Sequence, residues 1–206
     1  MDIDFYCLHH LPAVERAEYM EAFFSRERIK ADWIESFLPE SPEVKNFQRT
    51  FCPHSANGSY LNEAEISLYL KQQEAIKRIC ARKNIGVILE DDIKEPFFNF
   101  KEFCNLAAED FLDGDGDLLF IGSYPEADIQ GSTIIQTAPW MTSRYAHCYM
   151  VNPKSAQKIF DHTLTPVAPF DWQLNYAIQD LDLKVYWSIL AVYQRTAQNE
   201  ISSLLR

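Results

Sequence analysis

The stretch Gly86-Val87-Ile88-Leu89-Glu90-Asp91-Asp92 limits what this chain can fold into more than any other. Four small or apolar residues lead straight into three consecutive carboxylates. A run without polar side chains wants both faces covered, so it reads as a strand buried inside a sheet. The carboxylates then fall where that strand ends, and ligands of open α/β sheets bind just outside the carboxyl ends of strands. Three like charges repel, and burying them unpaired is costly. A hard divalent cation, Mg²⁺ or Mn²⁺, relieves that repulsion through carboxylate oxygens. The run marks a candidate metal and ligand site; the plain alternative is a solvated acidic turn after a core strand.

The rest of the composition narrows the class. A chain of 206 residues with 47% hydrophobic and 24% charged residues suits one soluble globular domain, expected over residues 1–206. A net charge of −11 disfavours a nucleic-acid surface, which needs clustered Lys and Arg, but leaves room for a local diphosphate site. No apolar run approaches the roughly 20 residues that span a bilayer. The opening MDIDFYCLHH is acidic and does not resemble a signal peptide. Cys7, Cys52, Cys80, Cys104 and Cys148 are odd in number and form no C-x-x-C pair, so buried free thiols in a reducing cytoplasm are expected. His54 and His162 read as surface or cap residues.

Along the chain, Ile3 to Leu8 reads as a first strand, His9 to Pro12 as a turn, and Ala13 to Phe24 as a helix with Val14, Ala17, Met20 and Phe24 on one face. Ile29 to Ile34 suggests a second strand. Glu35 to Asn62 reads as loop, with Pro39, Pro42, Pro53 and Asn57-Gly58. Asn62 and Glu65 predict a capping box opening a helix that runs to about Lys83. Further helices are expected near Asn99 to Leu112, Lys154 to His162 and Asp171 to Gln179. Strands are expected at Asp117 to Gly122, Tyr145 to Val151 and Lys184 to Trp187. This alternation predicts an α/β fold with a mostly parallel central sheet flanked by helices.

Several patterns carry no chemistry. Asp113-Gly114-Asp115-Gly116-Asp117 resembles a calcium loop, but Leu118 and Tyr124 stand where an EF-hand needs Gly and Glu, so a solvated turn is expected. There is no G-x-G-x-x-G, P-loop or G-x-S-x-G pattern. Asp171 opens a helix after the Pro166 to Phe170 segment and reads either as its N-cap or as a carboxylate facing the same cleft as the acidic run. Arg16 is either a surface residue or a diphosphate partner at the mouth of the sheet. Trp140, Tyr145 and Trp172 are either core residues or sugar-stacking or lid residues.

In order along the chain, these blocks resemble glycosyltransferase family 25, which includes lipopolysaccharide glycosyltransferases and collagen β-galactosyltransferases. The likeness covers the first strand with the Arg16 helix (HLPAVERAEYM), Ala64-Glu65-Ile66 for the family's G-E-I, and VILEDDI for its V-L-E-D-D. It continues through DLLFIGSY, AHCYMVNPKSAQKIF, PFDWQL and Val192-Tyr193-Gln194. Ala64 departs from the family glycine. Lys71-Gln72 stands where the family usually has Ser-His.

The resemblance implies a GT-A-like (Rossmann-like) domain and a metal-dependent inverting glycosyltransferase. It would move galactose or glucose from a UDP-sugar to a glycan, lipid-linked or protein hydroxyl acceptor, as in lipopolysaccharide biosynthesis. Asp91 and Asp92 would hold Mn²⁺ (or Mg²⁺), acting as Lewis acid on the leaving diphosphate. Glu90, Asp91, Arg16 and Gln194 would contact the donor, and Asp171 would be the general base. The Lys71-Gln72 departure motivates a second reading, a catalytically degenerate nucleotide-sugar or glycan-binding module. A metal-dependent phosphatase or nuclease is a third, disfavoured by the single carboxylate triplet and the chain's acidity.

Overall fold

Side chains of the central strands point alternately into two cores, one on each face of the sheet. The computed structural model describes residues 2–51, 60–122, 134–136 and 146–195. In β1 (Ile3–Leu8), Phe5 and Cys7 face one core and Tyr6 and Leu8 the other. In β3 (Ile85–Glu90), Val87 and Leu89 join the first core and Ile88 the second. Side chains alternate along a strand, so a fully apolar run needs this double covering.

After β1 the chain builds α1 (Val14–Glu27), β2 (Ala31–Ile34), α2 (Pro42–Phe51) and α3 (Glu63–Arg82), the last leading into β3. Then follow α4 (Phe100–Asp113), β4 (Leu118–Phe120), β5 (Ile134–Gln136), β6 (Cys148–Val151), α5 (Pro153–Thr163), α6 (Phe170–Asp180) and β7 (Val185–Ser188). Helices α1 and α4 cover the first face through Met20, Phe23, Phe103 and Phe111. Helices α3, α5 and α6 cover the second through Ile76, Ile79, Ile159 and Leu174. The described part is thus a mixed α/β fold, a sheet between helices.

Among the described residues seven strands lie in the order β2-β1-β3-β6-β4-β7-β5. Pairings β1–β2, β1–β3 and β4–β7 are parallel; β3–β6, β4–β6 and β5–β7 are antiparallel. The expected mostly parallel sheet is therefore corrected to an evenly mixed one. Strand β6 is buried on both faces, so its composition matches that of a parallel strand and hides its direction.

Local chemistry explains the boundaries. The Asn62 side chain accepts from Glu65 N–H at 2.9 Å and Glu65 accepts from Asn62 N–H at 2.8 Å, the expected capping box. Lys83, at φ 61°, ends α3 in the left-handed region. Gly86 lets α3 close onto the sheet: a Cβ there would lie 2.1 Å from Ile79 Cδ1. Helix α2 corrects the loop expected over 35–62. Pro42 is its first residue and Val44 N–H points at Ser41 Oγ, so this proline starts a helix rather than breaking one. Its Val44 packs with Leu61 and Ile66.

The Asp113–Asp117 stretch is the expected turn, with Asp115 at φ 54° and Asp117 accepting from Lys184 N–H at 2.7 Å. His162 lies in the last turn of α5 and meets Asp180 Oδ2 of α6 at 2.9 Å. Cys7, Cys80, Cys104 and Cys148 are free. No helix among the described residues is long and apolar enough to cross a membrane. Cys52, His54, Trp140 and Tyr145 lie outside the described residues.

Candidate functional site

Strand pairing brings the acidic run against the first turn of the chain. Leu8 pairs in parallel with Glu90, so the residues that follow each strand emerge side by side. Asp91 N–H donates to Leu8 O at 3.1 Å, which turns the Asp91 side chain toward His9 and His10. Asp91 is 5% exposed. Its Oδ2 lies 2.7 Å from His9 Nδ1 and accepts from His10 N–H at 2.9 Å, and its Oδ1 accepts from Arg16 at 3.0 Å. Arg16 reaches back from the first turn of α1 and also lies 3.8 Å from Asp92. The His9 ring is held edge-on against Trp33 at 5.3 Å.

Lys71 completes this hub. It is buried, and its ammonium donates to His9 O at 2.8 Å. Burial holds its pKa below the ordinary lysine value, opposed by Asp91, Glu35 and Glu40. Gln72 is buried beside it. It accepts from Tyr149 Oη at 2.7 Å and donates to Ala146 O at 3.3 Å, strutting α3 against β6. Lys71 and Gln72 are thus both built into the interior.

Glu90 points to the other side. The alternation that sends Ile88 toward α3 sends Glu90 there too. It borders a cavity of about 340 Å³ lined by Gln72, His147, Pro169, Asp171, Trp172 and Gln194, among others. Gln194 donates to Glu90 Oε2 at 3.3 Å. Burial pushes the Glu90 carboxyl up to about 8, with Asp92, Asp91 and Asp171 adding to the effect and Gln194 opposing it. Burial also raises Asp92, against the pull of Arg16. His147 Nε2 lies 2.8 Å from Val192 O, and burial lowers its pKa.

A second cavity, of about 150 Å³, shares Glu65, Leu68 and Glu90 with the first and reaches down to Arg16, Lys71 and Asp91. Asp171 is the second residue of α6, whose N-cap is Pro169, so the expected N-cap role is corrected. Its carboxylate sits in the first turn, where the helix dipole favours it, and accepts from Trp172 N–H at 2.9 Å.

The closing segment 191–195 walls the cleft. Val192 N–H donates to Ile121 O at 2.9 Å, Lys94 N–H to Tyr193 O at 2.5 Å, and Arg195 N–H to Asp92 O at 2.6 Å. The Arg195 guanidinium lies 4.3 Å from the Tyr19 ring centre.

Compared with protein-family models and with curated proteins, the chain matches none.

These positions overturn the metal assignment. Among the described residues, no group of three or more His, Cys, Asp or Glu side chains could hold a metal ion. The physical reason lies in the hub. Asp91 already serves three donors, Arg16 stands against both Asp91 and Asp92, and Glu90 faces away and favours its neutral form. The residues do not fit Mn²⁺ or Mg²⁺, so the expected metal-dependent inverting glycosyltransferase, with manganese-assisted transfer in lipopolysaccharide biosynthesis, is withdrawn.

The structure does gather Arg16, Asp91 and Asp92 in one group and Glu90, Asp171 and Gln194 around one cavity. Sequence reasoning missed His9, His10 and His147 and read Lys71-Gln72 only as a departure. Two adjacent histidines after a strand were a usable signal, but their partner becomes visible only once β1 and β3 are paired.

Proposed function

We propose that this chain is a non-catalytic carbohydrate-binding module, taking a glycan or a nucleotide sugar in the cleft beyond the carboxyl end of β3 and working without a metal. One observation carries the reading. Trp172, the Gln194 amide, and the carboxyls of Glu90 and Asp171 converge on a cavity of about 340 Å³. An aromatic face with a few convergent polar groups suits a sugar ring, whose C–H face is apolar and whose rim is hydroxyl. The motif order supports descent from a glycosyltransferase family 25 frame with a GT-A-like sheet. Lys71 and Gln72 then replace active-site groups with internal struts. The free thiols at Cys7, Cys104 and Cys148 support work in a reducing cytoplasm.

The test pairs calorimetry with a turnover assay, using UDP-glucose, UDP-galactose and a panel of free oligosaccharides. The reading expects saturable binding that is the same in EDTA and in Mn²⁺, with no UDP release. Metal-dependent UDP release would overturn it, as would the absence of binding to every member of the panel.

A further inference from the structure

Five carboxylates line the two joined cavities: Glu65, Glu90, Asp91, Asp92 and Asp171. The described lining holds two cations, Arg16 and Lys71, and both belong to the smaller cavity. Arg16 is engaged with Asp91 at 3.0 Å and lies 3.8 Å from Asp92. Lys71 is 3% exposed and donates to His9 O. The larger cavity has neither Lys nor Arg among its described lining residues. It offers the Trp172 ring, the Gln194 amide, the His147 ring and three carboxyls.

Resting on the sugar-binding reading above, we infer that the ligand is a glycan segment bearing no phosphate, carboxylate or sulfate, so that of the two ligand classes the cleft takes the glycan and rejects the nucleotide sugar. A diphosphate needs compensating positive charge from arginine, lysine, a helix N-terminus or a metal. Here Arg16 already stands against both Asp91 and Asp92, Lys71 is turned to the His9 carbonyl, the N-terminus of α6 already carries the Asp171 carboxylate, and no metal set is present among the described residues. An added anion meets the Asp171 carboxylate in a partly desolvated space, where like-charge repulsion is weakly screened, and finds Glu90 beside it with no positive charge to offer. Sugar hydroxyls have the opposite fit. They donate to the carboxyl oxygens of Glu90 and Asp171 and exchange hydrogen bonds with the Gln194 amide, while the ring lies on Trp172.

The test uses the full chain and pairs in which the second member adds an anionic group to the first: lactose against 3′-sialyllactose, and maltose against maltose 1-phosphate, with UDP-glucose alongside. Calorimetry in EDTA at low ionic strength should give at least tenfold tighter binding of the neutral member that binds, with the gap shrinking as salt is added. Asp171→Asn should narrow the same gap, and a circular dichroism melt confirms that the variant is folded. Equal or tighter binding of the charged member or of UDP-glucose would overturn this inference while leaving the sugar-binding reading standing. Failure of all five probes and of a wider neutral panel would overturn both.

Discussion

His9 Nδ1 lies 2.7 Å from Asp91 Oδ2, and both side chains are buried. A carboxylate held this way is part of the scaffold. Asp91→Ala removes the acceptor for His9, for His10 N–H and for Arg16 in one step. Breaking a buried pair from one side costs about 3–5 kcal/mol. Urea unfolding should record a loss of that size, equal with and without EDTA, and Asp91→Asn should lose less.

Glu90 makes stability fall as pH rises. Its folded pKa of about 8 stands above its ordinary value of 4.5, so between these two values the folded state holds more protons than the unfolded one. Stability rises with pH only where the unfolded state binds more protons, and here the sign is reversed. The Glu90 contribution is least unfavourable below about pH 4.5 and fully unfavourable above about pH 8. Glu90→Gln should flatten this slope and raise Tm at pH 8 relative to the parent chain, as followed by melts across that range.

How much of this was legible in the sequence depends on how local each signal is. The capping box of Asn62 and Glu65 and the apolar run into Glu90 are short-range patterns, and both elements formed where expected. The direction of β6 is not local, because Cys148 to Val151 is equally apolar whichever way it runs. Helix α2 was hidden by Pro42, which carries opposite meanings at the start and in the middle of a helix. Strand β5, three residues long at the sheet edge, is too short to show a period. The acidic run was found for its carboxylates, but its meaning lay in partners from β1, α1 and α3 that no spacing reveals.

Gly86 is where α3 and the sheet come closest. Gly86→Ala places a methyl against Ile79 and should cost about 1–3 kcal/mol through overpacking. Pairing it with Ile79→Val should recover part of that loss, which a double-mutant cycle in urea would measure.

Asn62 caps the helix that lines both cavities. Asn62→Ala should cost about 1 kcal/mol, within a range of about 0.5–2. Thermal unfolding reads this directly, and the melt should stay a single transition.

Trp172 borders the cavity and is only partly buried. Trp172→Ala should weaken binding of a neutral disaccharide about tenfold, equivalent to about 1.4 kcal/mol, measured by calorimetry on a variant whose circular dichroism is unchanged.

The segment 191–195 reaches Glu90 across 104 positions of sequence, through Gln194. The His9, Arg16, Lys71 and Asp91 hub, by contrast, is complete within the first 91 residues. During synthesis the chain therefore emerges with everything needed to neutralise Asp91 long before the wall of the cleft exists. Contacts that distant also close slowly. An unfinished chain can shelter its buried charge but has no finished cleft, and the wall beside Glu90 is added only when nearly the whole described chain has been made.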